Sequence, residues 1–339
     1  MRHLNLPSRE GEGGHISGDQ SRLDGRMEAR ERRIWDFVQR SPLESLWDLK
    51  GVPVSVIAKR TWKALIEDRV FGHAAELGFY FLFALFPTLL CASSVVGLVA
   101  RSALHFYDRL LSYLAILVPT QALGTVLNTF HQTAEAASSD KVTFGLIAAL
   151  WSASVGISAI QDTLNAVYKI EDSRSYFVAR LEAIGLTIAL VVVVTLGLAS
   201  LLGGSYFATL ASFRIHEFLV REAAVAAIHI VSWTIASALL ALTFAVLYYW
   251  APDVKKRCWR WLTPGGAIGI VGWLLASLGF RIYLHFFNTY SVTYGSLGAV
   301  IILLMWFYIT GLMLLLGAEI NSEIEAAAAA KRLQVGLPD

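Results

Sequence analysis

Charge and cysteine are both scarce in this chain. Of its 339 residues 16% are charged and two are cysteines, Cys91 and Cys258, whereas soluble domains carry roughly 25% charged residues. Cys91 lies in an apolar run and Cys258 in a basic loop, so the two belong at different membrane depths and a disulfide between them is geometrically poor. Recognisable catalytic motifs are missing as well: there is no CxxC pair, HExxH, Walker loop or GxSxG, and the eight histidines are scattered, which gives no metal site, cofactor or catalytic residue to assign. A soluble nuclease would need clustered carboxylates or metal ligands in a polar domain. The basic N-terminal region reads as membrane-surface charge, so a nucleic-acid partner and a ribonuclease activity are both disfavoured. The first thirty residues also lack the apolar core of a secretory leader, which makes 1–73 a cytosolic or interfacial extension.

Apolar residues are plentiful: 56% of the chain is hydrophobic and the mean hydropathy is +0.56. A spanning helix needs about 20 mostly apolar residues, and six segments meet that length, at about 74–100, 142–164, 183–207, 223–249, 264–287 and 296–320. The expected fold is therefore an all-α polytopic membrane protein with six transmembrane helices. Residues 1–50 read as a polar, largely disordered extension, 51–73 as an amphipathic interfacial helix, 74–325 as the transmembrane domain and 326–339 as a short cytoplasmic tail. Ala58, Trp62, Leu65 and Ile66 fall at i, i+4, i+7 and i+8, with Lys59, Arg60 and Lys63 on the other side. That pattern suits a helix on the membrane surface or one packed on the bundle. The stretch 104–138, broken by Pro119, reads as an external helical hairpin, on the surface or partly re-entrant.

Lys and Arg set the orientation. On the side of the N-terminus, segments 1–73, 165–182, 250–263 and 321–339 carry 22 basic residues, against five in 101–141, 208–222 and 288–295. Both termini are thus expected on the cytoplasmic side of the membrane.

Several short runs resemble the BrkB/YihY family of bacterial inner-membrane proteins, formerly labelled ribonuclease BN-like. They are FYFLFALFP at 79–87; Trp151, Ser152, Ala153 and Ser154, followed by Leu164, Asn165 and Tyr168; Thr293 to Ala299; and Gly317, Ala318, Glu319 and Asn321. The resemblance covers roughly 54–325 in order and implies the architecture more than an activity. Glu76 departs from the small or uncharged residue more usual at its position, so the resemblance gives it no role.

Ionisable residues inside spans are costly and point to function or to pairing. Toward the outside, Arg281, His285 and Asn288 share one face of span five, and Tyr294 and Ser296 follow at the start of span six. A free helix start beside that cation suits a phosphate or carboxylate, while an Arg snorkelling to the headgroups is the simpler account. Toward the cytoplasm, Ser154, Ser158, Gln161 and Asn165 repeat along span two with Asp162 beside them, Glu76 and Tyr80 share a face of span one, and Glu319 lies near the end of span six. These residues are either a polar intramembrane path or hydrogen-bonding glue between helices, with Glu319 better suited to anchoring a helix end than to carrying protons. Small residues Gly265, Gly269, Gly272, Ala276 and Gly279 form a smooth stripe for helix packing. The expected function is transport or translocation of an anionic or amphipathic substrate, of the lipid or envelope-precursor class, with membrane lipids as partners. The alternative is a non-transporting scaffold or envelope-assembly partner.

Overall fold

A computed structural model describes residues 34–35, 37–38, 46–47, 52–99, 139–254, 258–286 and 296–335. Seven helices account for most of them: α1 (Val54–Glu67), α2 (Val70–Val99), α3 (Ser139–Val167), α4 (Tyr176–Arg214), α5 (Phe218–Trp250), α6 (Pro264–Phe286) and α7 (Ser296–Val335). No strand occurs among the described residues. The hairpin expected at 104–138 lies outside them.

Among the described residues four helices are long and apolar enough to cross a membrane, namely α4, α5, α6 and the Leu297–Leu333 part of α7, and Val70–Leu85 of α2 is a shorter apolar segment. The expectation of six spans is thus met in part. α2 and α3 have 30 and 29 residues, about 45 Å at 1.5 Å per residue.

Helices adjacent in sequence from α2 to α7 pack on one another, and α7 returns to lie against α2, which closes a ring. Close approaches rest on small residues. A Cβ on Gly78 would meet the α7 backbone at Tyr308, 3.1 Å away, and one on Gly204 would strike Ser232 of α5. The predicted stripe on α6 faces α7 through Gly265, Gly269 and Gly272, which meet Gly317 and Met313, but Gly279 has open space around it. The main core gathers Leu77, Leu164, Val167, Leu186, Leu315 and Ala318. It lies toward one end of the ring, where the segments 68–69, 168–175, 251–254 and 258–263 also meet; we call this the charged end.

α1 packs against α7 at that end, burying Ile57, Thr61, Ala64 and Leu65. Of the apolar face read from the sequence, only Leu65 is buried, while Trp62 and Ile66 stay 64% and 59% exposed. The helix has two apolar stripes, and the one offset toward Ile57 meets Ile324 and Ala328. α7 continues through the segment read as a tail, with Ala326 to Ala329 buried. Within the region read as an extension, Leu46 is buried and Trp47 donates from Nε1 to the Leu262 carbonyl at 2.8 Å.

Candidate functional site

The polar stripe of α3 divides into residues that tie helices together and residues that do not. Asn165 is a tie: its Oδ1 accepts from the Asp253 backbone N–H at 2.8 Å and its Nδ2 donates to Asp172 at 3.0 Å. Asp172 in turn holds Arg174, whose other arm donates to Glu182 at 2.7 Å. Arg174 keeps the Asp172 carboxyl below the usual carboxylate range through these hydrogen bonds, and the carboxylates beside it hold the Arg174 guanidinium above its ordinary value. Asn321 does the same work on α7. Its Oδ1 accepts from Gly265 N–H and its Nδ2 donates to Thr263 Oγ1, both at 2.9 Å. Thr263 also caps α6 by accepting from Gly266 N–H, directly ahead of a proline at the first helical position.

Other members of the predicted path lack such partners. Gln161 is 2% exposed with no partner for Nε2, and Glu319 is fully buried with no partner for either carboxylate oxygen. A buried polar group left unsatisfied costs about 1–3 kcal/mol, so Gln161 Nε2 and the Glu319 carboxyl stand apart from the ties just described. Ser154 is buried and bonds back to the Trp151 carbonyl at 2.7 Å. Glu76 and Asp162 are exposed, Glu76 lying 3.5 Å from His73, and Tyr80 is half-buried against the core. The structure therefore does not gather all these residues into one line.

At the far end of α6, Arg281 and His285 are both exposed, while Leu284 between them is buried against Ile302 and Leu303 of α7. Asn288 and Tyr294 lie outside the described residues. Ser296 opens α7, and its side chain lies outside what is described.

Sequence reasoning missed Arg180. Counted among the basic residues of the inner loop, it sits in the first turn and a half of α4, and its side chain runs back along α3. One guanidinium nitrogen donates to Ser158 Oγ at 3.2 Å, another to the Trp151 carbonyl at 3.3 Å, and the Trp151 ring lies 4.3 Å away. Ser158 is nine residues short of the α3 end at Val167, about 13 Å at 1.5 Å per residue, and Trp151 is two turns farther. Among the described residues no carboxylate pairs with this cation, and its Nε is buried without a partner.

α2, α3, α4 and α7 border an open groove of about 420 Å³ lined by Phe81, Ala153, Gly156, Thr187, Val191 and Phe307, among others. Arg180, Thr187 and Val191 follow one another at i, i+7 and i+11, so cation and groove share one face of α4. The spacing of Arg180 and Ser158 across a turn gives no sequence periodicity that would have revealed this. Among the described residues no group of His, Cys, Asp and Glu could hold a metal ion.

A family model described as virulence factor BrkB matches residues 61–336. The chain is 36% identical over 251 residues to the putative ribonuclease-like protein YfkH of Bacillus subtilis, covering 74% of this chain and 88% of that protein. It is 27% identical over 268 residues to a UPF0761 membrane protein of Xanthomonas oryzae, covering 78% of this chain and 60% of the relative. A UPF0761 membrane protein of Paraburkholderia xenovorans is also 27% identical, with 58% of its length covered. The chain thus spans about three fifths of the UPF0761 relatives. No solved structure matches it. The matched region runs from the middle of α1 to the end of α7 and takes in the ring of apolar helices with its charged end, and on that ground the chain belongs to the BrkB family of membrane proteins.

Proposed function

We propose that this protein is a non-enzymatic translocator of an anionic amphipathic molecule, of the phospholipid or envelope-precursor class, in a bacterial inner membrane. In this reading α2 and α3 cross the membrane with the four longer spans, and both termini are cytoplasmic. One observation carries it: among the described residues Arg180 has no carboxylate partner, its guanidinium reaches α3 about 13 Å from that helix's end, and it shares the α4 face that lines an apolar groove through Thr187 and Val191. An intramembrane cation is expensive and marks a substrate path by default. A substrate with a phosphate or carboxylate and a hydrocarbon chain matches that pairing of cation and groove. Arg281 and His285, with Asn288, Tyr294 and Ser296, then serve the same anionic group at the outer face.

The test uses full-length protein in sealed vesicles containing a headgroup-labelled anionic phospholipid. The parent is expected to speed exchange of the label between leaflets. Arg180→Gln should lower that rate at least about tenfold, the scale of 1.4 kcal/mol in binding, with folding unchanged. Arg281→Gln should lower it less, and Arg281→Lys should restore part of the loss only where charge alone matters. No protein-dependent exchange, or equal exchange in folded parent and Arg180→Gln, would overturn the reading and leave the scaffold role. Orientation has its own check: a cysteine placed in 288–295 should react with an impermeant thiol reagent from outside, and one placed in 250–263 should not.

A further inference from the structure

The junction between the α1–α2 turn and α7 holds more carboxyls than cations. Arg60 of α1 lies 2.9 Å from Glu323 of α7, and Lys169, just past the end of α3, pairs with Asp68 in the turn. Glu319, one helical turn before Glu323, faces Asp68 with Lys169 and Glu323 as its other charged neighbours. From α3 the buried Tyr168 adds a phenol near Glu319. From α2, Val70 and Ala74 pack in the core beside it. Arg69 of the turn is exposed, so within the junction two cations face three carboxyls.

Glu319 is the outlier. Its side chain is fully buried, and neither of its oxygens has a hydrogen-bond donor, nor does Asp68 Oδ2 opposite. Two carboxylates that face each other away from water cannot both stay ionised, whereas one proton between them makes a donor and an acceptor of the pair. Arg69, next to Asp68, has φ 52° and Lys169 has φ 54°, the left-handed conformation with which the chain leaves α1 and α3, so both flank a helix end that fixes their place.

We infer that Asp68 and Glu319 form a proton-binding site, and that the single proton they share latches the α1–α2 turn onto α7. Bound, the proton lets one carboxyl O–H donate to the other carboxylate and leaves two cations against two anions. Released to solvent, it leaves one uncompensated negative charge in a buried junction, which weakens the latch. The sign follows from linkage: the folded state holds a proton that the unfolded chain gives up near neutral pH, so stability falls as pH rises. This inference is independent of the translocation reading.

Full-length protein in lipid nanodiscs provides the test. Infrared difference spectra on alkalinisation should show loss of one protonated-carboxyl carbonyl band in the parent. The band should be absent from Glu319→Gln and from Asp68→Asn, and present in Glu76→Gln, whose carboxyl is exposed. The melting temperature of the parent should fall between about pH 6 and about pH 9, while that of Glu319→Gln, a permanent mimic of the protonated state, should stay flat. At about pH 9 amide exchange across residues 61–72 should run at least roughly fivefold faster in the parent than in Glu319→Gln. If Glu319→Gln does not fold, Asp68→Asn decides the infrared comparison. A parent without a titrating band, a band that survives both substitutions, or parallel pH profiles for parent and Glu319→Gln would overturn the site.

Discussion

The charged end and the middle of the ring solve different packing problems. Only 11% of the central apolar window of α4 is buried, with Val191, Val192, Val194 and Leu196 all exposed, yet from Glu319 to Ala329 on α7 every residue but Ile320 is buried. Lipid solvates Val and Leu as well as protein does, so a spanning segment gains little by hiding them. Turns, helix ends and charges that are shut away from water must find partners within the chain. Structural specificity is accordingly concentrated where Asn165, Arg174, Asn321 and Arg260 tie the helix ends together, and the midsection is left open for side chains that serve lipid or substrate.

Breaking the charged end should cost most. The Arg174 side chain is 6% exposed and holds Asp172 and Glu182, with Asp253 at 3.9 Å. Arg174→Gln removes the cation that these carboxylates share and should lose about 3 kcal/mol or more, the range for breaking a buried pair, read as a drop in melting temperature in detergent. The same pairing sets an acid limit. Because Asp172 is held below 3.8 in the folded state, its contribution is present above that value and is lost as pH falls through the lowered one. Melting temperature should therefore decline below about pH 4 in the parent, with that part of the decline missing in Asp172→Asn.

A graded series on one helix sharpens the contrast. A Cβ on Gly265 would lie 1.9 Å from the Gly317 carbonyl oxygen, one on Gly272 3.0 Å from the flexible end of Met313, and one on Gly279 in open space. Gly265→Ala should cost about 3 kcal/mol, the upper part of the overpacking range, and Gly272→Leu about 1–2 kcal/mol. Gly279→Ala should be neutral or slightly stabilising, within about 1 kcal/mol, since Ala is the better helix former. Equal melting of Gly265→Ala and Gly279→Ala would mean that α6 and α7 are not in close contact at the charged end. The smallest effect belongs to the lipid side: Val192→Ala on α4 should change the melting temperature by no more than about 0.5 kcal/mol would.

Hydropathy and length alone dictated an all-helical membrane protein. The positions of α4, α5 and α6 followed closely, because long apolar runs bounded by charge have few other stable arrangements. The stripe of α6 was legible as far as Gly272 for a similar reason: small residues at helical spacing allow close approach whatever the partner. Which helix would approach was decided only by the three-dimensional arrangement, and it proved to be α7. Asn165 was legible as a member of the polar stripe and Asn321 through the family resemblance, but their partners Asp253, Asp172 and Thr263 are distant in sequence or hidden in turns. For α1 the sequence reading picked the face of Ala58, Trp62, Leu65 and Ile66, whereas packing on α7 buried the neighbouring one through Ile57, Thr61 and Ala64. Arg180 and the Asp68–Glu319 pair were illegible for one physical reason. A long side chain reaches more than a helical turn from its own backbone, and buried charges are balanced across elements, so depth and neutrality there belong to the packed ring and not to any single segment of the chain.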